Sequence, residues 1–427
     1  MFTPERFLTP TLQRHPRGNS VTRILAAAFN SVKPDAVVKN YLREHDMPIA
    51  RRVFAFGLGK AACAMTEALA ENINLAYTLI ITKHASPFNF GPSAVIEGNH
   101  PIPGSDSVLA GQAALKFVSQ LTPDDLLVCL ISGGGSSLMT MPRVSLVDLQ
   151  ILTSALLSCG ARIDEINILR RHLDQLKGGG LARLANGAQI VSLILSDVVD
   201  DSLETIASGP TAPDPTTCAD ALSIIQKYDL LNKIPDSIVS SLQETLKSDH
   251  PVFSRVQNVM VASNKIALFA AQNQAQAEGY QANIIHMALQ GEASSVGEEI
   301  ASQFKDLLQT MTRPFCLLAG GETTVTLRGS GKGGRNQELA LAAVDILDGL
   351  KNVIFISLAT DGEDGPTDAA GAVVTGESAQ RAESLGMNAT GYLSRNDAYS
   401  FFDMLNDLVR TGPSGTNVND LVLCFAF

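Results

Sequence analysis

Short apolar runs alternate with longer segments of helical periodicity along most of the chain. Several of the runs are apolar at nearly every position, as expected where helices cover both faces of a parallel sheet. This alternation predicts an α/β protein with a doubly wound sheet. In the first half, strands are predicted at 53–56, 78–82, 94–97, 126–131 and 190–195, and helices at 61–71, 108–120, 146–158 and 176–185.

The alternation breaks at residues 210–257, where prolines recur at positions such as Pro213, Pro215 and Pro235. Because proline ends helices and central strands, this stretch predicts the exit from a first domain. We expect domains at 1–250 and 251–427, the second a smaller α/β domain with a mixed sheet. Its predicted strands are 259–262, 282–286, 315–319, 323–327, 353–359 and 421–427, and its predicted helices are 266–278, 295–308 and 336–347.

The amino-acid composition and net charge argue against some classes of binding partner. The 427 residues are 45% hydrophobic, and 32 basic against 43 acidic residues leave a net charge of −11. Long-range attraction to nucleic acid or to an anionic membrane is therefore not expected. An anionic small substrate remains compatible, because a pocket can be locally basic in an acidic protein.

The 6 cysteines are scattered and the histidines lack a two-ligand spacing, so neither a disulfide framework nor a zinc hydrolase is indicated. No apolar run approaches the roughly 18 residues of a membrane helix, and the N-terminus lacks a secretory apolar stretch. We expect a cytoplasmic protein, and a homodimer is compatible with these features.

The first glycine-rich loop follows strand 53–56 and contains Gly57, Gly59 and Lys60. Its form, G-x-G-x-x-A, is by itself a weak dinucleotide fingerprint, and the next strand ends in Thr82-Lys83 without the acid that would hold a ribose. Lys60 instead suits phosphate or carboxylate oxygens, because a cation at a helix N-terminus is unfavourable without an anion nearby.

The second loop follows strand 126–131 and reads S-G-G-G-S-S. Glycines let the backbone approach a ligand, and the hydroxyl and N–H groups are donors for phosphate. It is neither a Walker loop nor a G-x-S-x-G nucleophile elbow. Its residues are Ser132, Gly133, Gly134, Gly135, Ser136 and Ser137.

Two further segments of the first half carry charge. Arg170-Arg171-His172 and Lys177 precede another glycine run and form a plausible local anion pocket, although His172 by itself is interpreted as structural. Asp197 directly follows strand 190–195. An acid in that position can hold a metal or accept a proton, and it can also cap a helix.

In the second half, Glu322 and Thr323 follow strand 315–319, and Arg335 and Asn336 stand at a predicted helix start after two glycines. The planar guanidinium of Arg335 suits a phosphate or a carboxylate. Segment 360–368 carries four acids, including Asp361, that can serve Mg²⁺ facing bound phosphates. Anion-binding loops in both halves indicate phosphoryl transfer, which needs alignment and charge neutralisation.

In combination these motifs resemble the class II glycerate kinases, glycerate 2-kinases whose C-terminal part is the MOFRL domain. The resemblance covers nearly the whole chain. It implies phosphorylation of D-glycerate at its 2-hydroxyl by ATP with Mg²⁺, and a Rossmann-like doubly wound domain followed by a smaller α/β domain. The motifs lie at 57–62, 132–137, 195–198, 206–211, 320–324, 333–338 and 360–371.

Carried over by these motifs, Lys60 and Arg335 are the expected catalytic cations. From the positions of the acids after strands, Asp197 and Asp361 are the expected metal ligands, with Glu322 and Asp364 as alternatives. Family members have also been labelled hydroxypyruvate reductases, so an NAD(P)-dependent reductase is the alternative, and a sensor without turnover is a third class. Substrate or phosphate contacts are expected from Gly57, Gly59, Ser132, Gly133, Gly134, Gly135, Ser136, Ser137, Arg171, Lys177, Glu322, Thr323 and Asn336.

Overall fold

A computed structural model describes all 427 residues. The strands are β1 (Arg52–Leu58), β2 (Tyr77–Thr82), β3 (Ser93–Glu97), β4 (Asp125–Ile131), β5 (Gln189–Leu195), β6 (Val256–Ala262), β7 (Gln281–Leu289), β8 (Phe315–Gly321), β9 (Val353–Ala359), β10 (Gly371–Thr375), β11 (Leu408–Val409) and β12 (Asp420–Ala426).

Seventeen α-helices and three 3₁₀ helices accompany these strands. The α-helices are α1 (Pro10–Arg14), α2 (Gly18–Ser31), α3 (Pro34–Glu44), α4 (Ala62–Ala70), α5 (Ser105–Val118), α6 (Gly135–Leu138), α7 (Leu146–Ser158), α8 (Ile163–His172), α9 (Gly180–Leu184), α10 (Cys218–Lys227), α11 (Asp236–Ser240), α12 (Asn264–Ala277), α13 (Ala293–Leu307), α14 (Arg335–Leu347), α15 (Ser378–Ser384), α16 (Ala389–Leu393) and α17 (Ala398–Leu405). The 3₁₀ helices are Pro4–Phe7, Ile206–Ser208 and Pro251–Arg255.

The chain divides into two compact units. Pro34–Val261 form one, called here the parallel-sheet unit, and Met1–Lys33 with Ala262–Phe427 form the other, called the mixed-sheet unit. This differs from the expected division at residue 250 in two ways: β6 completes the first sheet, and the first 33 residues pack with the C-terminal part of the chain.

The parallel-sheet unit contains six strands in the order β3-β2-β1-β4-β5-β6. The four neighbour pairs from β3 to β5 are parallel, with Val53 opposite Leu126 in the pair of β1 and β4. This order is that of doubly wound nucleotide-binding sheets. Every residue of β4 is buried, as expected for a central strand covered on both faces. The predicted doubly wound fold is confirmed.

The proline-rich stretch that predicted a domain exit belongs to this unit. Helices α7, α8, α10 and α11 pack around a small apolar cluster of their own. Leu152, Ile166, Ile225 and Ile238 are its nearly fully buried members from those four helices. The prolines therefore punctuate a helical subdomain before β6, which the local pattern could not distinguish from a linker.

The mixed-sheet unit contains six strands in the order β11-β10-β9-β12-β8-β7. Only β7 and β8 pair in parallel, and the other neighbours are antiparallel. Helix α2 packs on α12, where Arg23 donates two hydrogen bonds to Glu278 at 2.6 and 2.7 Å. The predicted mixed sheet is confirmed, and the N-terminal segment is part of its packing.

Two predicted elements are wrong. In place of the strand expected at 323–327, the backbone forms a single β-bridge between Thr324 and Glu292. No continuous strand pairing follows from one bridge. The helix expected at 176–185 begins only at Gly180. Gly178 and Gly179 have φ of 55° and 82°, outside the right-handed helical region, so the helix cannot start earlier.

No helix combines the length and the apolar character that crossing a membrane requires.

Candidate functional site

The glycine-rich loops that follow β1 and β4 are bound to each other. The Lys60 N–H donates to the Gly133 carbonyl at 3.0 Å, and the Ala61 N–H donates to Ser132 Oγ at 3.0 Å. Gly59 has φ of 118°, and a Cβ on it would lie 2.3 Å from the Ser132 carbonyl oxygen. Glycine is therefore required for this contact, and the two loops predicted separately form one surface at the carboxyl edge of the parallel sheet.

Lys60 lies exposed above the second loop, beside a residue that the sequence analysis missed. A Cβ on Gly134 would lie 3.3 Å from both Lys60 Cε and His100 Cδ2, so these two side chains flank the same glycine. His100 follows β3, as the other candidate loops follow β1, β4 and β5. Its position after a strand was the available signal, but its segment lacks the glycine run that drew attention to the other loops.

Asp197 lies against the same loop. A Cβ on Gly133 would lie 1.8 Å from Asp197 Oδ2, so only glycine allows this approach. Burial raises the pKa of Asp197, while the charge of Lys60 acts in the opposite direction. Burial, together with the charges of Lys60 and Lys83, lowers the pKa of His100. The loop surface thus combines a cation, a neutral imidazole at neutral pH and a carboxylate.

Ser136 connects this loop to the S-G-P-T motif. Its hydroxyl lies 2.6 Å from the hydroxyl of Ser208. Ala207, Ser208 and Gly209 all have left-handed backbones, with φ of 51°, 59° and 58°. Such conformations in consecutive residues cost free energy and are concentrated at functional sites.

The other predicted residues of these loops make contacts within the protein. Ser137 Oγ donates to the Gly134 carbonyl at 3.2 Å, and Gly135 begins α6. Gly57 is buried in β1, against Thr66 of α4.

Arg171, predicted as a ligand-binding residue, is engaged within the protein. Its side chain is almost fully buried, and its Nε donates to Asp214 at 2.9 Å. A second nitrogen donates to the Glu204 carbonyl at 3.2 Å. Because these partners hold the guanidinium, Arg171 stabilises the chain around Asp214.

Lys177 is also engaged within the protein. Its ammonium donates to Asp174 and to the Met139 carbonyl, both at 2.9 Å, and the side chain is buried. Burial lowers the pKa of Lys177, and the charge of Asp174 opposes that change. Lys177 is therefore one member of a buried ion pair.

His172 has the structural role that the sequence analysis assigned to it. It is buried, with Nδ1 2.8 Å from the Gln243 carbonyl oxygen and Nε2 3.2 Å from the Thr216 hydroxyl. Cys218 and Glu244 bring possible metal-ligating atoms within 4.8 Å of it. Because both ring nitrogens already have hydrogen-bond partners, His172 is not free to ligate.

In the mixed-sheet unit, Arg335 opens α14 and lies between two carboxylates. Its Nε and one terminal nitrogen donate to Asp420 at 2.6 and 3.0 Å, and the other terminal nitrogen donates to Glu322 at 2.8 Å. Burial acts to lower the pKa of Arg335, but the hydrogen bonds and charge of Asp420 and the charge of Glu322 raise it overall. The guanidinium is permanently charged and fixed in orientation.

Asp420 is a second residue that the sequence analysis missed. It begins β12, which is antiparallel to both of its neighbours. The start of β12 therefore meets the ends of β8 and β9, with Asp420 opposite Gly321 and Ala359. Glu322 directly follows β8 and so lies at the same edge of the sheet. Sequence reasoning that considers only the loops after strands finds Glu322 but not Asp420, which is the first residue of a strand.

Asn336, predicted as a ligand-binding residue, is part of a buried hydrogen-bond network. Its backbone N–H and side-chain amide donate to Asp364 Oδ1 at 3.1 and 3.3 Å, and its amide oxygen accepts from Ser357 at 2.7 Å. Burial raises the pKa of Asp364 to about 7 although it accepts N–H groups at the start of α14. Thr323 is buried as well. These residues shape the helix start that carries Arg335.

Asp361 follows β9 and is partly buried. One of its oxygens accepts the Glu363 N–H at 3.1 Å, and neither Asp361 nor Asp197 takes part in a salt bridge. Burial raises the pKa of Asp361, and the charge of Asp420 adds to the effect. Asn264 Oδ1 and Asn419 Nδ2 are among the buried polar atoms of this unit that have no hydrogen-bond partner. This edge of the mixed sheet therefore carries polar groups that the fold itself does not satisfy.

Comparisons with known proteins agree with this architecture. A model of a domain of unknown function, DUF4147, matches residues 20–243, and the MOFRL family model matches residues 315–420. The glycerate 2-kinase of Pyrococcus horikoshii is 39% identical over 94% of this chain and 95% of its own. The D-glycerate 2-kinase of Thermotoga maritima is 39% identical over 94% of this chain and 96% of its own.

Solved structures give the same result. The crystal structure of a glycerate kinase from Thermotoga maritima has a TM-score of 0.90 and 38% identity, covering 96% of this chain and 99% of that one. A relative from Agrobacterium vitis, 40% identical over 93% of this chain and 92% of its own, is named a putative hydroxypyruvate reductase. With matches of this identity along nearly its whole length, the chain belongs to the glycerate 2-kinase family, with a C-terminal MOFRL domain.

Proposed function

We propose that this protein transfers the γ-phosphoryl group of ATP to the 2-hydroxyl of D-glycerate, giving 2-phosphoglycerate and ADP. The observation that carries the proposal is the loop surface of the parallel-sheet unit, where exposed Lys60 lies over Gly134 beside His100 and Asp197. Membership of the family supplies the donor and the acceptor.

Lys60 is the proposed cation for phosphoryl oxygens. Phosphoryl transfer requires little covalent chemistry from the protein, so positioned charge is the main contribution. The side chain is exposed to solvent, and its backbone N–H is fixed on Gly133. The glycines beneath it let a phosphate approach the main chain closely. The ammonium stabilises negative charge that develops on the transferred group.

Arg335 is proposed as the second catalytic cation. A guanidinium has five N–H groups, of which three donate to Asp420 and Glu322. One N–H on each terminal nitrogen is left for a ligand. Because the other three fix the plane of the group, little side-chain entropy is lost when it engages a phosphate.

Mg²⁺ is the proposed cofactor, and the residues present fit it. Asp361 and Asp197 are carboxylates with raised pKa values and no salt-bridge partner, and carboxylate oxygen is the ligand that Mg²⁺ prefers. Bound with ATP, Mg²⁺ would neutralise charge on the phosphates. We propose Asp197 as a Mg²⁺ ligand of the parallel-sheet unit and Asp361 as a Mg²⁺ ligand of the mixed-sheet unit.

In the reaction, the substrate 2-hydroxyl oxygen bonds to the γ-phosphorus as the bond from that phosphorus to the β–γ bridging oxygen breaks. The hydroxyl proton leaves to a base, and ADP departs. Because Asp197 is the proposed metal ligand, His100 is the group on the loop surface that can accept this proton.

The alternative, NAD(P)-dependent reduction of hydroxypyruvate, lacks support in the parallel-sheet unit. A dinucleotide site places an acid at the end of the second strand to bind the ribose. Here β2 ends at Thr82 and Lys83 follows. A basic side chain does not accept hydrogen bonds from ribose hydroxyls.

The deciding experiment is an ADP-coupled assay with ATP and D-glycerate, followed by enolase to distinguish the 2-phosphate from the 3-phosphate. ADP formation with an enolase-competent product is expected. NADH oxidation on hydroxypyruvate without ADP formation would establish the reductase, and ligand binding without any product would establish the sensor.

A further inference from the structure

Arg170, on α8 of the parallel-sheet unit, lies largely buried without a partner. Its Nε has no hydrogen-bond partner, and no carboxylate lies within ion-pair distance of its guanidinium. Burial lowers the pKa of Arg170, and no acidic group counteracts it. A buried charge without a partner is costly, so the position calls for a ligand or a functional reason.

The surroundings of Arg170 carry an excess of positive charge. Lys177 is close enough for the Arg170 charge to lower its pKa, after the larger effects of burial and Asp174. Arg143 also has a buried Nε without a partner. The nearby carboxylate, Asp174, already accepts from Lys177, from the Thr140 hydroxyl and from backbone N–H groups. The one carboxylate in this group of three cations is therefore already engaged, and Arg170 has no share in it.

Arg170 and Ser136 line the same small cavity, together with Thr140 and the Asp174–Lys177 pair. Its volume is about 10 Å³, room for one water molecule or one oxygen atom of a larger ligand. Ser136 belongs to the loop that Lys60 overlies. Arg170 therefore lines a space next to the loop surface that admits one oxygen atom of a small anionic group but not a nucleotide.

We infer that Arg170 binds the carboxylate of the hydroxy-acid substrate, with one carboxylate oxygen entering the cavity beside Ser136. The inference rests on the proposed function, because glycerate is the acid in question. A guanidinium matches a carboxylate in charge and planarity, and the bound substrate would supply the missing partner. The sequence pattern R-R-H indicated an anion pocket, and the structure assigns it to Arg170 in place of Arg171.

The test uses the full chain and the variants Arg170→Met and Arg170→Lys. Wild type should gain thermal stability on addition of D-glycerate alone, and Arg170→Met should not. For Arg170→Met the KM for D-glycerate should rise roughly 30-fold or more, with the KM for ATP within about twofold of wild type. Arg170→Lys, which keeps the charge, should be intermediate. Arg183→Met, an exposed arginine near Arg143, is the control and should behave as wild type.

The melting temperature without ligand distinguishes the binding role from a structural one. If Arg170 binds the substrate, Arg170→Met removes an unpaired buried charge, and the ligand-free variant should melt at or above the wild-type temperature. A lower melting temperature in both Arg170 variants, or an unchanged KM for D-glycerate, would overturn the inference. A raised KM for ATP in Arg170→Met, or a thermal shift with inorganic phosphate that wild type shows and Arg170→Met lacks, would also overturn it, because the cavity would then serve a phosphate. If wild type makes no ADP from D-glycerate, the proposed function fails instead.

Discussion

Asp420 accepts two hydrogen bonds from Arg335, one from Nε at 2.6 Å and one from a terminal nitrogen at 3.0 Å. Asp420 is nearly fully buried, whereas Arg335 is partly exposed. The carboxylate therefore acts as the fixed partner, and it determines which N–H groups of Arg335 point toward a ligand. Two-point contact of this kind restricts both the position and the plane of the guanidinium.

We expect Asp420→Asn to lower kcat by roughly 10 to 100-fold, because an amide cannot accept both bonds and the guanidinium loses its orientation. The KM values should change less. Asp403→Asn, which alters an exposed aspartate paired with Arg410 at 2.6 Å, is the matched control and should leave kcat unchanged. Equal loss of kcat in both variants would indicate a general effect on the mixed-sheet unit.

Removing the Lys60 ammonium should affect the reaction and not the fold. The side chain is exposed and makes no ion pair, so Lys60→Ala should keep its melting temperature. Loss of a charge contact in the transition state costs roughly 3–4 kcal/mol, or 10² to 10³ in kcat. Arg335→Ala should show a kcat loss of the same order.

Lys332→Ala is the control for both cations, because Lys332 lies in a neighbouring loop, over the ring of Tyr399 at 3.9 Å. Its activity should change only modestly. A near-normal kcat for Lys60→Ala with a raised KM would assign Lys60 to uniform substrate binding and contradict the catalytic assignment.

His100 should contribute to substrate positioning. It flanks Gly134 opposite Lys60, and its lowered pKa leaves it neutral at neutral pH, able to accept a hydrogen bond from a substrate hydroxyl. We expect His100→Ala to lower kcat/KM for D-glycerate roughly tenfold, the cost of one hydrogen bond. His84→Ala, at an exposed histidine after the neighbouring β2, should have no effect in the same steady-state assay.

The metal assignment is tested by titration. Excess chelator should abolish activity, and Mg²⁺ should restore it. Asp361→Asn should raise the Mg²⁺ concentration needed for half-maximal activity, because it removes a charged oxygen ligand. Glu363→Gln, an exposed neighbour, should leave that concentration unchanged. Full turnover in metal-free buffer would contradict the proposed cofactor.

Asp364 predicts a pH dependence of stability. Its pKa is about 7 in the folded protein, against an ordinary value of 3.8, chiefly because the carboxyl is buried. The folded state thus binds the proton more tightly than the unfolded state does. The contribution of Asp364 to the free energy of unfolding should be largest below the ordinary pKa and should be lost as the pH rises through about 7.

Asp364→Asn removes this titration while keeping the shape of the side chain. In urea unfolding between about pH 5 and pH 7.5, the variant should lose less stability than wild type as the pH rises. Parallel curves for the two proteins would show that Asp364 is ionised in the fold throughout this range.

Local features of the sequence were sufficient for the fold class and for most elements. Central parallel strands are short apolar runs whatever their neighbours, so β1, β4 and β5 could be recognised from their own residues. Loops that follow parallel strands meet at one edge of the sheet, which is why Lys60 and the 132–137 loop were predicted from spacing alone. Their direct contact through Gly59 and Gly133 agrees with that reasoning.

Tertiary structure alone decided which charged groups are free and which are engaged. Arg170 and Arg171 are adjacent in the sequence and identical in type, but Arg171 meets Asp214 and Arg170 meets no acid. Asp420 reaches Arg335 only because β12 runs antiparallel between β8 and β9. Such pairings join residues far apart in the chain. Local hydrophobic periodicity carries no information about them, because they depend on strand order, strand direction and side-chain burial.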